Sequence, residues 1–223
     1  MSRAKVSWLV FIGALVLYLF SMAPSIASER SAIWIVNSLM YGLPAAPGNL
    51  LYLLTCSFFQ HFAMNVLTPL FGILARLVQM VTMKPVFIFE PASAVNMVSV
   101  LSGSAAAALT FGLLDRLAGI TGAGGRMSDG GRRLFFAASV IFLFSLPSIW
   151  GGALEAGPGI FNVFLLVLGL WLLVRVQEGS LAGGAGILLW AFLAGLSFSQ
   201  NYVTLFSLIF ILVFWRWNGL VRE

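Results

Sequence analysis

Apolar side chains run along this sequence in long blocks separated by short polar or Gly/Pro segments, and the breaks between blocks define the elements. Six blocks, residues 7–23, 94–114, 134–150, 160–174, 181–198 and 202–215, reach or approach the roughly 20 residues that a helix needs to cross a bilayer. The first block ends at Pro24, which lacks an N–H and clashes with the preceding turn. It is too long, and too poorly followed by small residues, for a cleaved signal peptide, and it reads as a retained helix. Residues 31–41 then mix Ile33 and Trp34 with Asn37, Ser38 and Tyr41, the pattern of a short helix lying in the membrane interface. Gly42, Pro44, Pro47 and Gly48 close this segment with a stiff, bent connection. Residues 50–89 are apolar but interrupted by Gln60, His61, Asn65, Pro69, Arg76, Gln79 and Lys84. Locally, one extra crossing and a set of interfacial helices fit them equally well.

Charge decides between the two, because short cytoplasmic loops carry the excess of Lys and Arg. If residues 50–89 stay outside, Arg3, Lys5, Arg116, Arg126, Arg132, Arg133, Arg175, Arg216 and Arg222 fall on one side, which is 9 of the 12 basic residues. Arg30, Arg76 and Lys84 fall opposite with Glu29, Glu90 and Glu155. One more crossing would put Arg126, Arg132 and Arg133 outside. The expected architecture is therefore an all-α, polytopic membrane protein, a single membrane domain over residues 1–223 with about six transmembrane helices. Residues 24–93 form a long external loop containing interfacial helices, residues 115–133 a cytoplasmic Gly/Arg-rich loop, and both termini are cytoplasmic. The setting expected is a bacterial inner membrane. An apolar share of 61%, a charged share of 9% and a mean hydropathy of +1.03 agree with that class and exclude a soluble domain of 223 residues. The net charge of +5 is then a topology signal, with anionic lipid headgroups as its partner and no nucleic acid needed.

Candidate chemistry read from residue types alone is thin. One histidine, His61, and one cysteine, Cys56, make neither a tetrahedral zinc set nor a disulfide within the chain. Their apolar surroundings suggest a buried interfacial role; a pigment or haem on His61 would need ligands from another subunit. Residues 119–131 are glycine-rich but lack a Lys-Ser/Thr pair and follow a membrane helix, so they read as a flexible loop and not a phosphate loop. The small-residue stretches at 102–108 and 182–186, with Gly103, Ala107, Gly183 and Gly186, permit close helix approach, inside the chain or to another protein. Trp8, Trp34, Trp150, Trp215 and Trp217 fall at span ends as interfacial anchors.

The stretch from Ala23 to Tyr52 carries a resemblance. Pro24, Ser25, Ile26, Glu29 and Ser31, then Gly42, Leu43, Pro44, Pro47, Gly48, Leu51 and Tyr52, resemble the protein O-mannosyltransferase-like membrane proteins. These are a family of largely unknown function, related to the integral-membrane glycosyltransferases of the GT-C fold. Such members read roughly P-T-V, E-D-S-G-E and, later, G-I-P-H-P-P-G-Y-P-L-Y. Ala94 through Ser99 resembles the family's R-V-N-L-L-S. Phe144-Ser145 with Trp150 through Ala153 is similar to F-S-x-x-F-W-S-Q-A, and Gly195-Leu196-Ser197 with Asn201, Thr204 and Leu205 to G-L-x-x-G-N-H-L-T-L. Four motifs in order cover nearly the whole chain, which runs to Glu223 where larger members carry further helices; the resemblance implies a shortened member.

The departures matter as much as the matches. The acidic residue that the resemblance would make the catalytic base falls on Arg30, the Gly-Glu after it on Ala32 and Ile33, and the His-Pro on Ala45 and Ala46. In the A-E-V-Y-x-L-N segment the acid lands on Gly157, two residues after Glu155, the tyrosine becomes Gly159, and a later histidine is Tyr202. An arginine, always protonated, cannot act as a general base. What the resemblance implies is thus a degenerate, non-catalytic relative acting as an accessory subunit among other integral membrane subunits, with bound lipids and no cofactor or metal. The alternative is an active glycosyltransferase using a polyprenyl-phosphate-linked sugar, with Glu29 or Glu155 as base and Arg30 or Arg76 on the lipid phosphate. The bland reading of Glu29 and Arg30 is a solvated pair at a helix start, and of Glu155 an acid exposed in a loop. A transporter is disfavoured because no predicted span carries a charge at its middle.

Overall fold

The computed structural model describes residues 2–22, 28–40, 49–69, 91–121, 127–178, 183–198 and 206, 207 and 209, and every regular element among them is helical. In order these are α1 (Arg3–Ser21), α2 (Glu29–Met40), α3 (Leu50–Phe62) continued by a π-helical turn (Ala63–Leu67), α4 (Pro91–Thr121), α5 (Asp129–Phe144), α6 (Pro147–Leu154), α7 (Pro158–Gln177) and α8 (Gly183–Phe198). The protein is an all-α membrane protein: Arg3–Ser21, Leu50–Leu67, Pro91–Thr121 and Pro158–Val176 are each long and apolar enough to cross a bilayer, and α5 with α6 makes a fifth if the bent pair is one span.

The helix everything else packs on is α4. Its 31 residues extend about 46 Å at 1.5 Å per residue, and its sequence is dominated by Ala, Ser and Gly. Small side chains on every face let neighbouring backbones approach closely, so burial is spread around the helix instead of along one stripe. The serines can be buried because Ser102 and Ser104 donate to the carbonyls of Val98 and Val100 one turn back, at 2.7 and 2.8 Å. Gly103 marks the tightest crossing. A Cβ there would lie 2.9 Å from the Tyr18 ring, 3.1 Å from Ala153 Cβ and 3.3 Å from Ile160 Cγ1, atoms of α1, α6 and α7 respectively.

Against α4, α1 runs antiparallel, burying Val6, Val10, Ala14 and Tyr18 at four-residue spacing. Trp8, Leu9, Ile12, Val16 and Phe20 on its other sides are exposed, as a lipid-facing surface requires. The Tyr18 hydroxyl donates to the Phe144 carbonyl at 2.8 Å, one of the last-turn carbonyls of α5 that have no partner within their own helix.

The apolar blocks predict six spans, and the structure differs in identifiable places. The block at 134–150 is broken: α5 stops at Phe144 and α6 leaves at 70°, because Pro147 cannot donate to the preceding turn and instead starts a new helix at its first position. Helix α4 runs seven residues past the expected end at 114, to Thr121. The block at 181–198 is described as Gly183–Phe198, 16 residues, and the one at 202–215 lies outside the described residues apart from 206, 207 and 209.

Where α4 ends, charge takes over the packing. Asp115 is fully buried, with Arg3 Nε 2.5 Å from Oδ2, Arg133 Nε 3.5 Å from Oδ2 and Arg132 Nη2 3.5 Å from Oδ1. One carboxylate thus ties the start of α1 and the start of α5 to the end of α4. Beside it Arg116 pairs with Glu178 just past α7, and the guanidinium groups of Arg116 and Arg175 lie 5.9 and 5.0 Å from the centre of the Trp171 ring.

Candidate functional site

The opposite end of the bundle holds the sequence-derived candidates. Ser28 caps α2: its Oγ accepts from the Ser31 N–H at 3.2 Å, and Ser31 Oγ accepts from the Ser28 N–H at 3.0 Å, a reciprocal cap. The same Ser28 hydroxyl donates its proton to Glu155 Oε2 at 2.8 Å. Glu155 sits between α6 and α7, so one hydroxyl both starts α2 and fastens it to that turn. Glu29, the first residue of α2, follows Ser28 and is exposed. Arg30 is the second residue of α2. Arg76 lies outside the described residues, as do Lys84 and Glu90.

Tyr52 holds the turn from the inside. It is completely buried, accepts from the Gly157 N–H at 2.7 Å and lies 3.2 Å from the Ser99 hydroxyl. Its ring meets Trp34 and Phe161 edge-on, each at 5.7 Å between centroids. Replacing Tyr52 with phenylalanine leaves the Gly157 N–H facing a ring edge. The expected cost is about 1–3 kcal/mol for that unsatisfied donor, checked as a lower midpoint of thermal unfolding in detergent.

Around this turn opens a cleft of about 530 Å³, walled by Trp34, Asn49, Glu155, Asn162 and the backbone of Gly151, Gly152, Gly157 and Gly159. A Cβ on any of those glycines would meet nothing within 4 Å, so their lack of side chains keeps the space open. Asn49 holds a left-handed conformation, φ 36° and ψ 39°, which asparagine tolerates better than most residues. Asn49 Oδ1 and Asn162 Oδ1 are buried without a hydrogen bond to described atoms. The cleft therefore offers one carboxylate, two carboxamide oxygens and an aromatic wall. Among the described residues lining it there is no Arg or Lys.

Of the predicted site residues, the structure brings Glu155 to the cleft, while Glu29 stands exposed beside Ser28, the residue that bonds Glu155. It places Gly103 and Ala107 inside the helix crossings of α4, both away from lipid. Gly186 is buried on α8, and Gly183 is the first residue of that helix. Cys56 is buried under α2 and α4 with Tyr52, whereas His61, expected to be buried, is exposed. His61 lies one position past Gln60, which faces inward, and the helical turn carries it to the other side. Among the described residues no group of three His, Cys, Asp or Glu could hold a metal ion.

Sequence reasoning singled out neither Asn49 nor Trp34 as cleft walls and gave Tyr52 and Asn162 no role. Tyr52 and Asn162 each stand in a motif carried by the resemblance, which was a usable signal; Asn49 beside Gly48 carried only a turn signal. A family model described as "Protein O-mannosyl-transferase TMEM260 N-terminal domain" matches residues 67–220. Neither a curated protein nor a solved structure matches the chain.

Proposed function

Since the chain belongs to the family described as the protein O-mannosyl-transferase TMEM260 N-terminal domain, we propose that it keeps the membrane scaffold of a GT-C-type glycosyltransferase without the transfer chemistry. It serves as a structural, accessory subunit of a larger membrane complex. The observation that carries this reading is the cleft's chemistry. A polyprenyl-phosphate donor brings negative charge, which calls for guanidinium or ammonium groups; the polar side chains among the described residues lining the cleft instead present acceptor oxygens, those of Glu155, Asn49 and Asn162. The position where the family motif carries its acid is Arg30, which cannot deprotonate an acceptor.

Orientation follows from the positive-inside rule. The arginine end, with Arg3, Arg116, Arg132, Arg133 and Arg175, faces the cytoplasm, and the cleft faces outward. Tyr52 meets α4 at Ser99 and Tyr18, near the end of α1, meets it at Gly103. The start of α3 thus lies close to the level where α1 leaves the bilayer.

The rival reading is an active glycosyltransferase using a polyprenyl-phosphate-linked sugar. In its favour, Glu155 lines the cleft beside Trp34 and is bonded by Ser28, the neighbour of Glu29. Purification of the tagged chain from its native membrane in mild detergent, with mass spectrometry of what accompanies it, separates the two. Other membrane subunits in fixed stoichiometry are the expected result. A chain recovered alone, with lipid-sugar-dependent transfer that Glu155→Gln or Glu29→Gln abolishes, overturns the accessory reading.

A further inference from the structure

We propose that the cleft beside Glu155 binds a primary ammonium group, carried by a free amine or by a lipid headgroup, with Glu155 as counter-ion and Trp34 as the wall it rests against. The inference rests on the reading that this cleft takes no polyprenyl-phosphate donor, and it names what the same cleft takes instead.

The sign of the charge comes first. Glu155 lines the cleft, and among the described residues its one hydrogen-bond partner is the neutral hydroxyl of Ser28. No described guanidinium or ammonium pairs with it. Two helix ends meet beside it and act in opposite senses. Pro158 starts α7, whose first N–H groups favour an anion, and Glu155 directly follows α6, whose last carbonyls favour a cation. Gly151 and Gly152 of that last turn line the cleft. Each helix end is equivalent to about half a charge at most, so the two offset one another. The full charge of Glu155 then decides the sign.

The remaining walls suit the same guest. A primary ammonium has three N–H donors and accepts nothing. Asn49 Oδ1 and Asn162 Oδ1 are acceptors without a hydrogen bond to described atoms, and an acceptor left without a donor is costly. A half-turn about the last side-chain torsion, which is soft, brings either oxygen to the cleft. Trp34 stands edge-on to Tyr52 at 5.7 Å, so its indole is placed before any ligand arrives, and indole is the ring that attracts a cation most strongly. The cleft of about 530 Å³ has room for the group that bears the ammonium.

Other guests use less of it. A divalent metal ion draws on several carboxylates, whereas no three His, Cys, Asp or Glu gather among the described residues, and it would leave Trp34 idle. A neutral sugar would use the acceptors and the indole and leave the carboxylate without a counter-charge.

The test uses the full chain purified in a neutral maltoside detergent. Ethanolamine and its uncharged analogue ethylene glycol are titrated at constant ionic strength and read by ligand-observed NMR. Phosphatidylethanolamine, phosphatidylcholine and phosphatidylglycerol are compared by native mass spectrometry. Ethanolamine is expected to bind where ethylene glycol does not, or phosphatidylethanolamine to persist as a one-to-one adduct where the other two lipids do not. The first result identifies a free amine as the source, the second a lipid headgroup. Glu155→Gln, which still accepts from Ser28, is expected to weaken amine binding roughly tenfold, and Trp34→Leu roughly fivefold. Gly152→Leu, whose Cβ meets open space, is expected to block the cleft with Glu155 in place, and it decides the matter should Glu155→Gln fail to fold. Equal binding of ethylene glycol, of phosphatidylcholine or of phosphatidylglycerol, no binding of either amine, or amine binding that Glu155→Gln leaves unchanged overturns the proposal. The accessory role fails separately: lipid-sugar-dependent transfer by the purified chain removes it whatever the amines do, and absent amine binding leaves it standing.

Discussion

Gly103→Leu is expected to prevent the bundle from closing, with the protein recovered from membranes in low yield and as a polydisperse species in size-exclusion chromatography. Even the first added carbon is refused, since it would stand 2.9, 3.1 and 3.3 Å from atoms of three different helices. The nearest of them, on the Tyr18 ring, cannot swing aside freely because the Tyr18 hydroxyl is bound to the Phe144 carbonyl. Gly103→Ala should therefore cost about 1–3 kcal/mol, the usual range for forced overpacking, and leucine more than the crossing can absorb. Gly13→Ala is the matched control: its Cβ would meet nothing within 4 Å, and alanine in a helix interior is neutral or favourable by about 0.5–1 kcal/mol. Thermal unfolding of both alanine variants in the same detergent checks the contrast; equal midpoints would show that the crossing at Gly103 is looser than described.

Asp115→Asn is expected to be the most damaging change at the other end, by about 3–5 kcal/mol, the cost of breaking a buried ion pair from one side. It removes the negative charge while leaving three arginines converged on a fully buried position. The diagnostic is a double-mutant cycle. In an Arg3→Gln background the same Asp115→Asn change should cost measurably less, because part of the unpaired positive charge has already gone. Additive losses would mean that Arg3 and Asp115 do not act together.

How much of this was legible from residues differs from one end of the molecule to the other. The membrane class and helices α1, α4 and α7 follow from apolar blocks whose length and bounding Pro, Gly or charged residues are local properties. The break between α5 and α6 was in principle readable at Pro147, but the apolar residues on both sides carry the block through it, and hydropathy does not register a missing N–H. Asp115 and Arg3 are separated by 112 positions, so no periodicity links them. A net positive loop and a buried ion cage look identical in sequence, and a carboxylate inside such a cage reads as a loop residue. The cleft was half legible: Glu155 stood out as an acid in a glycine-rich turn, while the contribution of Asn49 depends on a left-handed backbone that sequence only hints at through Gly48. The family match at residues 67–220 takes in the motifs at 94–99, 144–162 and 195–205 and begins after the loop motif that first suggested the resemblance. The scaffold part of the likeness is therefore the better supported part, and the catalytic part rests on Glu29, Arg30 and Glu155 individually.

The pairing of Arg3 with Asp115 also has a meaning in time. At synthesis rates of about 5–20 residues per second, the 112 positions between them correspond to a wait on the order of ten seconds in which α1 is already made and its arginine has no protein counter-charge. Throughout that interval Arg3 lacks the carboxylate it pairs with in the folded chain, and α5 must also be threaded before Arg132 and Arg133 can join. The cage is thus a lock that closes late, and a variant that weakens it prolongs the unlocked stage of membrane assembly as well as lowering the stability of the finished protein.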